Sequence, residues 1–133
     1  MKNTTKKFST GVLTVAAGAF LLLLAASPAS ATTITECHAA INAARGDLAG
    51  VVIGGNNPDQ TRASLDSKLN TADLKLEQGK FADALQALTQ FRDKVLSLQT
   101  QKKILDGAIT TVADLVKAAN DAVTCVNNLI AGL

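Results

Sequence analysis

The sequence is poor in the side chains from which most catalytic and metal-binding sites are built. Its 133 residues contain no tryptophan, no tyrosine, one histidine and two cysteines. Active sites and metal centres depend heavily on histidine, cysteine and clustered carboxylates. This composition disfavours an enzyme, and we expect no catalytic residues, no metal and no other cofactor.

The chain also lacks an excess of either charge. It has 13 basic and 11 acidic residues, and the first 31 positions hold three of the lysines and no acid, so the remaining residues carry a net charge of −1. A nucleic-acid partner requires clustered positive charge and is therefore disfavoured. Because 47% of the residues are hydrophobic, the chain has enough apolar material for about one folded domain.

The first 31 residues have the composition of an export signal. A cationic stretch is followed by an apolar run at residues 11–26 and by small residues that end at Ala31. This order is typical of a signal peptide and predicts cleavage between Ala31 and Thr32. The apolar run is shorter than the roughly 20 residues that span a bilayer. We therefore expect a secreted, extracellular or periplasmic domain of residues 32–133, with no stable membrane insertion after cleavage.

Two cysteines, Cys37 and Cys125, lie near the beginning and the end of this domain. In an oxidising compartment an even number of cysteines indicates disulfide bonding, and two cysteines allow one pairing. The bond is predicted to join the first helix to the last. A metal site of Cys37, His38 and Cys125 is disfavoured because three ligands, two of them adjacent in sequence, make a poor tetrahedral set. His38 is predicted to be a surface residue.

Apolar residues recur at spacings of three and four along four segments, which predicts four amphipathic helices. The first is expected from about Thr35 to Leu48. The last has a heptad pattern that begins at Ile109 and continues to Ile130. No alternating pattern indicates a strand. We predict an all-α fold, a small antiparallel four-helix bundle.

The two middle helices are predicted to form a helical hairpin. Asn57 and Pro58 indicate the N-cap and the first position of the second helix, with Gln60 as the capping-box partner. Gly79 suits a left-handed C-terminal cap, and Phe81 begins the next apolar pattern almost at once. The short connection implies antiparallel packing.

This hairpin and the segment after it resemble a known helical module. The similarity covers about residues 62–123, and the residues that carry it are Leu65, Lys68, Leu69, Ala72, Leu76, Gly79, Lys80, Ala84, Leu88, Phe91, Val95 and Leu98, followed by Lys103, Ile104, Ala113, Leu115, Val116 and Ala119. The segment is similar to the FIMAH domain, which is found as an appended domain in bacterial extracellular and surface proteins. The resemblance implies an accessory role without catalytic residues. The cysteine pair departs from that module.

The hypothesis at this point is a secreted, non-enzymatic accessory or interaction domain that binds an extracellular protein or a cell-wall polymer. The candidate binding surface is the basic turn at Lys102 and Lys103, together with exposed residues of the hairpin at residues 62–99. Two alternatives stay open. One is an inhibitor of an extracellular enzyme, and the other is a carrier of a small apolar ligand in the bundle interior.

Overall fold

A computed structural model describes residues 32–133, and the leader predicted for residues 1–31 lies outside this range. The described chain forms four long helices and two very short strands. In chain order these are α1 (Ile34–Gly50), β1 (Val52–Ile53), α2 (Pro58–Glu77), α3 (Phe81–Thr100), β2 (Ile104–Leu105) and α4 (Val112–Ala131). The prediction of an all-α four-helix bundle is confirmed.

The helices pack as a closed ring around one apolar core. Helix α1 packs against α2 and α4, and α3 packs against the same two helices. Phe91 is the largest fully buried side chain, and the same core cluster contains leucines from all four helices. The amphipathic pattern predicted for the two helices of the hairpin is confirmed, because their buried residues include Leu65, Leu69, Ala72, Leu76, Ala84, Leu88, Phe91, Val95 and Leu98.

Helix α2 ends in the way that Gly79 predicts. Gly79 has a φ of +75°, and its amide donates to the carbonyl of Leu76 at 3.0 Å, while the amide of Lys80 donates to the carbonyl of Lys75 at 2.8 Å. This pair of bonds is the Schellman motif, which satisfies carbonyls that the end of a helix leaves free. The predicted helical hairpin is therefore present.

The start of α2 differs from the prediction. Pro58 is the first helical residue, but the side chain of Asn57 makes no capping hydrogen bond, so the capping box predicted with Gln60 is wrong. The capping box occurs instead at the start of α4, between Thr111 and Asp114. Both stretches place a capping residue before a helix, and the chain conformation of each loop decides which side chain reaches the free amides.

Helix α4 begins later than its heptad pattern predicts. The helix starts at Val112, and Ile109 lies in the preceding loop with 93% of its surface exposed. Leu115, Ala122 and Leu129 lie on its buried face. The apolar spacing at Ile109 matches the helical pattern by chance. Side chains of Asp106 and Thr111 accept from the first amides of α4, so the helix begins at Val112 and does not include Ile109.

The disulfide bond between Cys37 and Cys125 joins α1 to α4. The two Cα atoms are 5.5 Å apart, and Cys37 is fully buried. Because Cys37 lies in the first turns of α1 and Cys125 in the last turns of α4, the bond closes the ring of helices close to the two ends of the domain.

Candidate functional site

The connections that leave α1 and α3 come together at one end of the bundle. We call residues 51–57 and 101–111 the loop end. There β1 and β2 pair antiparallel, with Val52 opposite Leu105 and Ile53 opposite Ile104. The sequence does not predict these strands, because two residues are too few to show an alternating pattern.

The small sheet has one face toward the core and one toward solvent. Ile53 and Ile104 are buried and close the end of the core. Val52 and Leu105 point the other way, and 48% and 51% of their surfaces are exposed. The outward positions of a surface strand are commonly polar, so two neighbouring aliphatic side chains here are a candidate contact surface.

Ile109 adds a third exposed aliphatic side chain to the loop end. It lies in the loop between β2 and α4, and the amide of Gly107 donates to the carbonyl of Thr110 at 2.8 Å, which closes a tight turn around Ala108 and Ile109. The carboxylate of Asp106 accepts from the amide of Val112 at 2.7 Å. Ile109 is thus presented by a braced loop.

A close approach between two glycines fixes this loop against the end of α1. A side chain at Gly107 would overlap the carbonyl oxygen of Gly50. A Cβ atom at Gly50 would in turn lie 2.5 Å from the hydroxyl oxygen of Thr110. The two backbones therefore pack at a distance that only glycine permits.

The capping box completes the attachment of the loop to α4. The hydroxyl of Thr111 accepts from the amide of Asp114 at 3.1 Å, and the carboxylate of Asp114 accepts from the amide of Thr111 at 3.0 Å. The backbone and side-chain hydrogen bonds with Thr111 lower the pKa of Asp114 below its ordinary value of 3.8. Ionised Asp114 is therefore the form that the folded loop favours.

Lys102 and Lys103, the predicted binding residues, lie at the loop end immediately before β2. Lys102 has a φ of +58°, and it is the one residue other than glycine with a positive φ among residues 32–133. The carbonyl of Lys103 accepts from the amide of Gly54 at 2.9 Å. Lys103 borders a shallow polar depression with Thr61 and the loop at residues 54–57. The backbone of this turn is therefore fixed while both side chains are exposed.

A second cluster of charged residues lies along the contact between α1 and α2. We call it the polar seam. Nδ1 of His38 lies 2.7 Å from one carboxylate oxygen of Asp73, and the guanidinium of Arg45 donates to the other at 3.0 Å. Arg45 also contacts Asp66, Asn42 and Asn70. His38 is predicted to be a surface residue, and it is partly exposed, but its ring also contacts Asp73 across the seam.

The polar seam joins helices and leaves little for a ligand to bind. The Nε, Nη1 and Nη2 atoms of Arg45 all donate to side chains of α1 or α2. Farther along the same contact, Arg62 donates to the carbonyl oxygens of Leu48 and Val51 at the end of α1. Arg62 belongs to the hairpin predicted as a binding surface, but its guanidinium is occupied by capping α1.

Within residues 32–133, the structure has neither a metal-binding cluster nor a membrane-spanning helix. No group of three or more histidine, cysteine, aspartate or glutamate side chains in this range is arranged to hold a metal ion. No helix in the same range is long and apolar enough to cross a membrane.

The sequence predicts the lysines of the loop end as binding residues but does not predict its three aliphatic residues. Ile109 was assigned to a helix, and Val52 and Leu105 lie in apolar groups too short to reveal which side chains point outward. The flanking glycines do indicate that these apolar groups lie in loops, because Gly50 precedes one group and Gly107 follows the other.

Comparison with protein-family models, with curated proteins and with solved structures finds no match to this chain.

Proposed function

We propose that this protein is a secreted, non-enzymatic interaction module that binds a partner protein through its loop end. The observation that carries the proposal is the exposure of Val52, Leu105 and Ile109 at one end of the bundle. Neighbouring exposed aliphatic side chains, such as Val52 and Leu105 on paired strands, are typical of interaction sites. The resemblance of residues 62–123 to FIMAH domains, which implies an accessory role, supports the same proposal.

The rigidity of the loop end supports the proposal as well. Ile109 is held by a closed turn, by an aspartate cap and by the contact of Gly107 with Gly50. A loop whose backbone is already fixed loses little conformational entropy when a partner covers it. An aliphatic side chain on such a backbone therefore suits an anchor in an interface.

The test compares capture of extracellular partners by the oxidised protein and by Ile109→Asp. Protein produced from the full chain is immobilised, and bound proteins from the secreted and cell-wall fractions of its own source are quantified. We expect the Asp variant to lose the captured protein by about tenfold or more, because a carboxylate would have to be desolvated in an apolar contact.

Leu74→Asp is the matched control. Leu74 is exposed to 53% on α2, away from the loop end, and the same change in polarity there should leave capture unchanged. Equal capture by wild type and Ile109→Asp, or equal loss in the two variants, would remove the loop end as the binding site.

An inhibitor of an extracellular enzyme is the second candidate, and the braced loop around Ile109 favours it. A projecting aliphatic side chain on a fixed backbone can occupy an apolar pocket of an enzyme without rearrangement. Activity assays on each captured enzyme would separate the two functions, because an inhibitor lowers turnover in proportion to the site occupied and an accessory module does not.

A further inference from the structure

We propose that the loop end binds an acidic and apolar segment of a partner protein. Carboxylates of that segment would pair with Lys102 and Lys103, while its apolar side chains would cover Val52, Leu105 and Ile109. This inference rests on the proposed function and adds the chemistry of the partner. Three observations carry it: the backbone of Lys102, the absence of an ion pair at both lysines, and the exposed aliphatic residues of the same loop end.

The backbone of Lys102 has a left-handed conformation that glycine adopts with less strain. Helix α3 ends in the same Schellman motif as α2, with the amide of Lys102 donating to Gln99 at 3.0 Å and that of Lys103 to Leu98 at 2.8 Å. At the end of α2 the corresponding left-handed position is Gly79. A side chain in this conformation is strained. Lys102 therefore makes the fold less stable than glycine would at this position.

An ion pair of the Lys102 side chain does not offset this strain within residues 32–133. Among residues 32–133, neither Lys102 nor Lys103 takes part in an ion pair. Asp106 is the one acidic residue of the loop end, and its carboxylate accepts from the amide of Val112. The loop end thus has a net charge of +1 from two lysines and one aspartate, and its two exposed ammonium groups make no ion pair within residues 32–133, so carboxylates of a partner complement them.

The aliphatic residues decide between a protein segment and an anionic polymer. A polyanion would pair with the lysines but would leave Val52, Leu105 and Ile109 in water. A protein segment that combines carboxylates with apolar side chains satisfies both parts of the surface, since charged pairs orient the segment and apolar contact supplies most of the affinity.

The experiment uses a phage-displayed library of random linear peptides, selected on the oxidised protein produced from the full chain. We expect the selected peptides to be enriched in aspartate or glutamate close to leucine, isoleucine, valine or phenylalanine, relative to the unselected library. Affinities of the enriched peptides are then measured for wild type and for variants. Peptides without carboxylates, or no enrichment at all, would overturn the proposal.

Lys102→Gly separates a binding role from a structural one. The variant should raise Tm by about 4 °C, because it relieves the left-handed strain, and it should weaken peptide binding about threefold, because it removes one charge pair. A lysine kept for folding alone would lower Tm and leave the affinity unchanged, and that result would contradict the proposal.

Charge reversal supplies the matched control. Lys103→Glu should weaken binding by about tenfold, whereas Lys80→Glu, at the equivalent position of the motif that ends α2, should have no effect. If Ile109→Asp abolishes binding but the variants at Lys102 and Lys103 do not weaken it, the proposed function stands and this inference fails. If Ile109→Asp has no effect, both fail. If poly(glycerol phosphate) at matched charge competes equally well for the peptide-binding site, this inference is also overturned, because the result would favour an anionic polymer as the ligand.

Discussion

Single residues at the loop end are determined by the space around them. Gly107 lies against the carbonyl of Gly50, and no side chain fits between these two backbone segments. Gly46, in the middle of α1, has no atom within 4 Å of the place where its Cβ would be. The same residue type thus has a steric role in one position and none in the other.

Gly107→Ala is expected to destabilise the protein by about 2–3 kcal/mol, because the loop must move away from α1 to admit the methyl group. Gly46→Ala is the control and should stabilise the protein by about 0.5–1 kcal/mol, since alanine favours the helix and restricts the unfolded chain. Urea unfolding measures both changes. Equal free energies of unfolding for wild type and Gly107→Ala would contradict the close packing of Gly107 on Gly50.

At the scale of elements, the residues at the helix ends determine where each helix begins. Three of the four helices have at their start a residue whose role is visible in the bonds it makes or in its restricted backbone. These are Thr33 before α1, Pro58 as the first residue of α2, and Thr111 before α4. Only the last forms the reciprocal capping box, and it is also the anchor of the loop that presents Ile109. The start of α4 and the candidate surface are therefore parts of one structure.

The capping box predicts a stability that depends on pH. Because the pKa of Asp114 is lowered in the folded state, its contribution is fully present above pH 3.8 and is lost as the pH falls through the lowered value. Asp114→Asn should therefore be less stable than wild type at about pH 6, and the difference should shrink toward about pH 2.

Urea unfolding across this pH range measures the difference. Thr111→Ser keeps the hydroxyl that accepts from the amide of Asp114 and should retain the wild-type dependence, whereas Thr111→Ala should lose part of it. A constant difference between wild type and Asp114→Asn at every pH would show that the carboxylate is not held by the cap.

At the scale of the whole molecule, the two contacts of α1 are of different kinds. The contact with α4 carries the disulfide bond, and the contact with α2 carries the polar seam of His38, Arg45, Asp66 and Asp73. The disulfide lies near the chain ends of the domain, at the far end of the bundle from the loop end. The covalent bond therefore closes the bundle without taking part in the candidate surface.

Removal of the disulfide is expected to cost about 4–5 kcal/mol, because a closed loop of nearly ninety residues restricts the unfolded chain strongly. The variant Cys37→Ala with Cys125→Ala avoids leaving a buried thiol and tests this value by urea unfolding against the oxidised wild type. Reductant should destabilise the wild type and leave the double variant unchanged. Free thiols in the purified, unreduced wild type would contradict the pairing.

The sequence by itself determined the helices, their apolar faces and the cysteine pairing. Spacings of three and four are a local property, so the buried positions of α2 and α3 follow from the order of residues alone. Gly79 predicted its own left-handed turn because few other residues adopt it readily. Two cysteines have one possible partner each, so Cys37 and Cys125 needed no structure to be matched.

The tertiary structure alone decided the loop end and the polar seam. Val52 meets Leu105, and His38 meets Asp73, across separations in the chain that no local period records. Ile109 continued a helical spacing but lies outside the helix, because Asp106 and Thr111 take the first amides of α4 and the contact of Gly107 with Gly50 directs the loop away. Local periodicity determines which face of a helix is apolar, whereas the exposure of a loop residue depends on how distant segments pack.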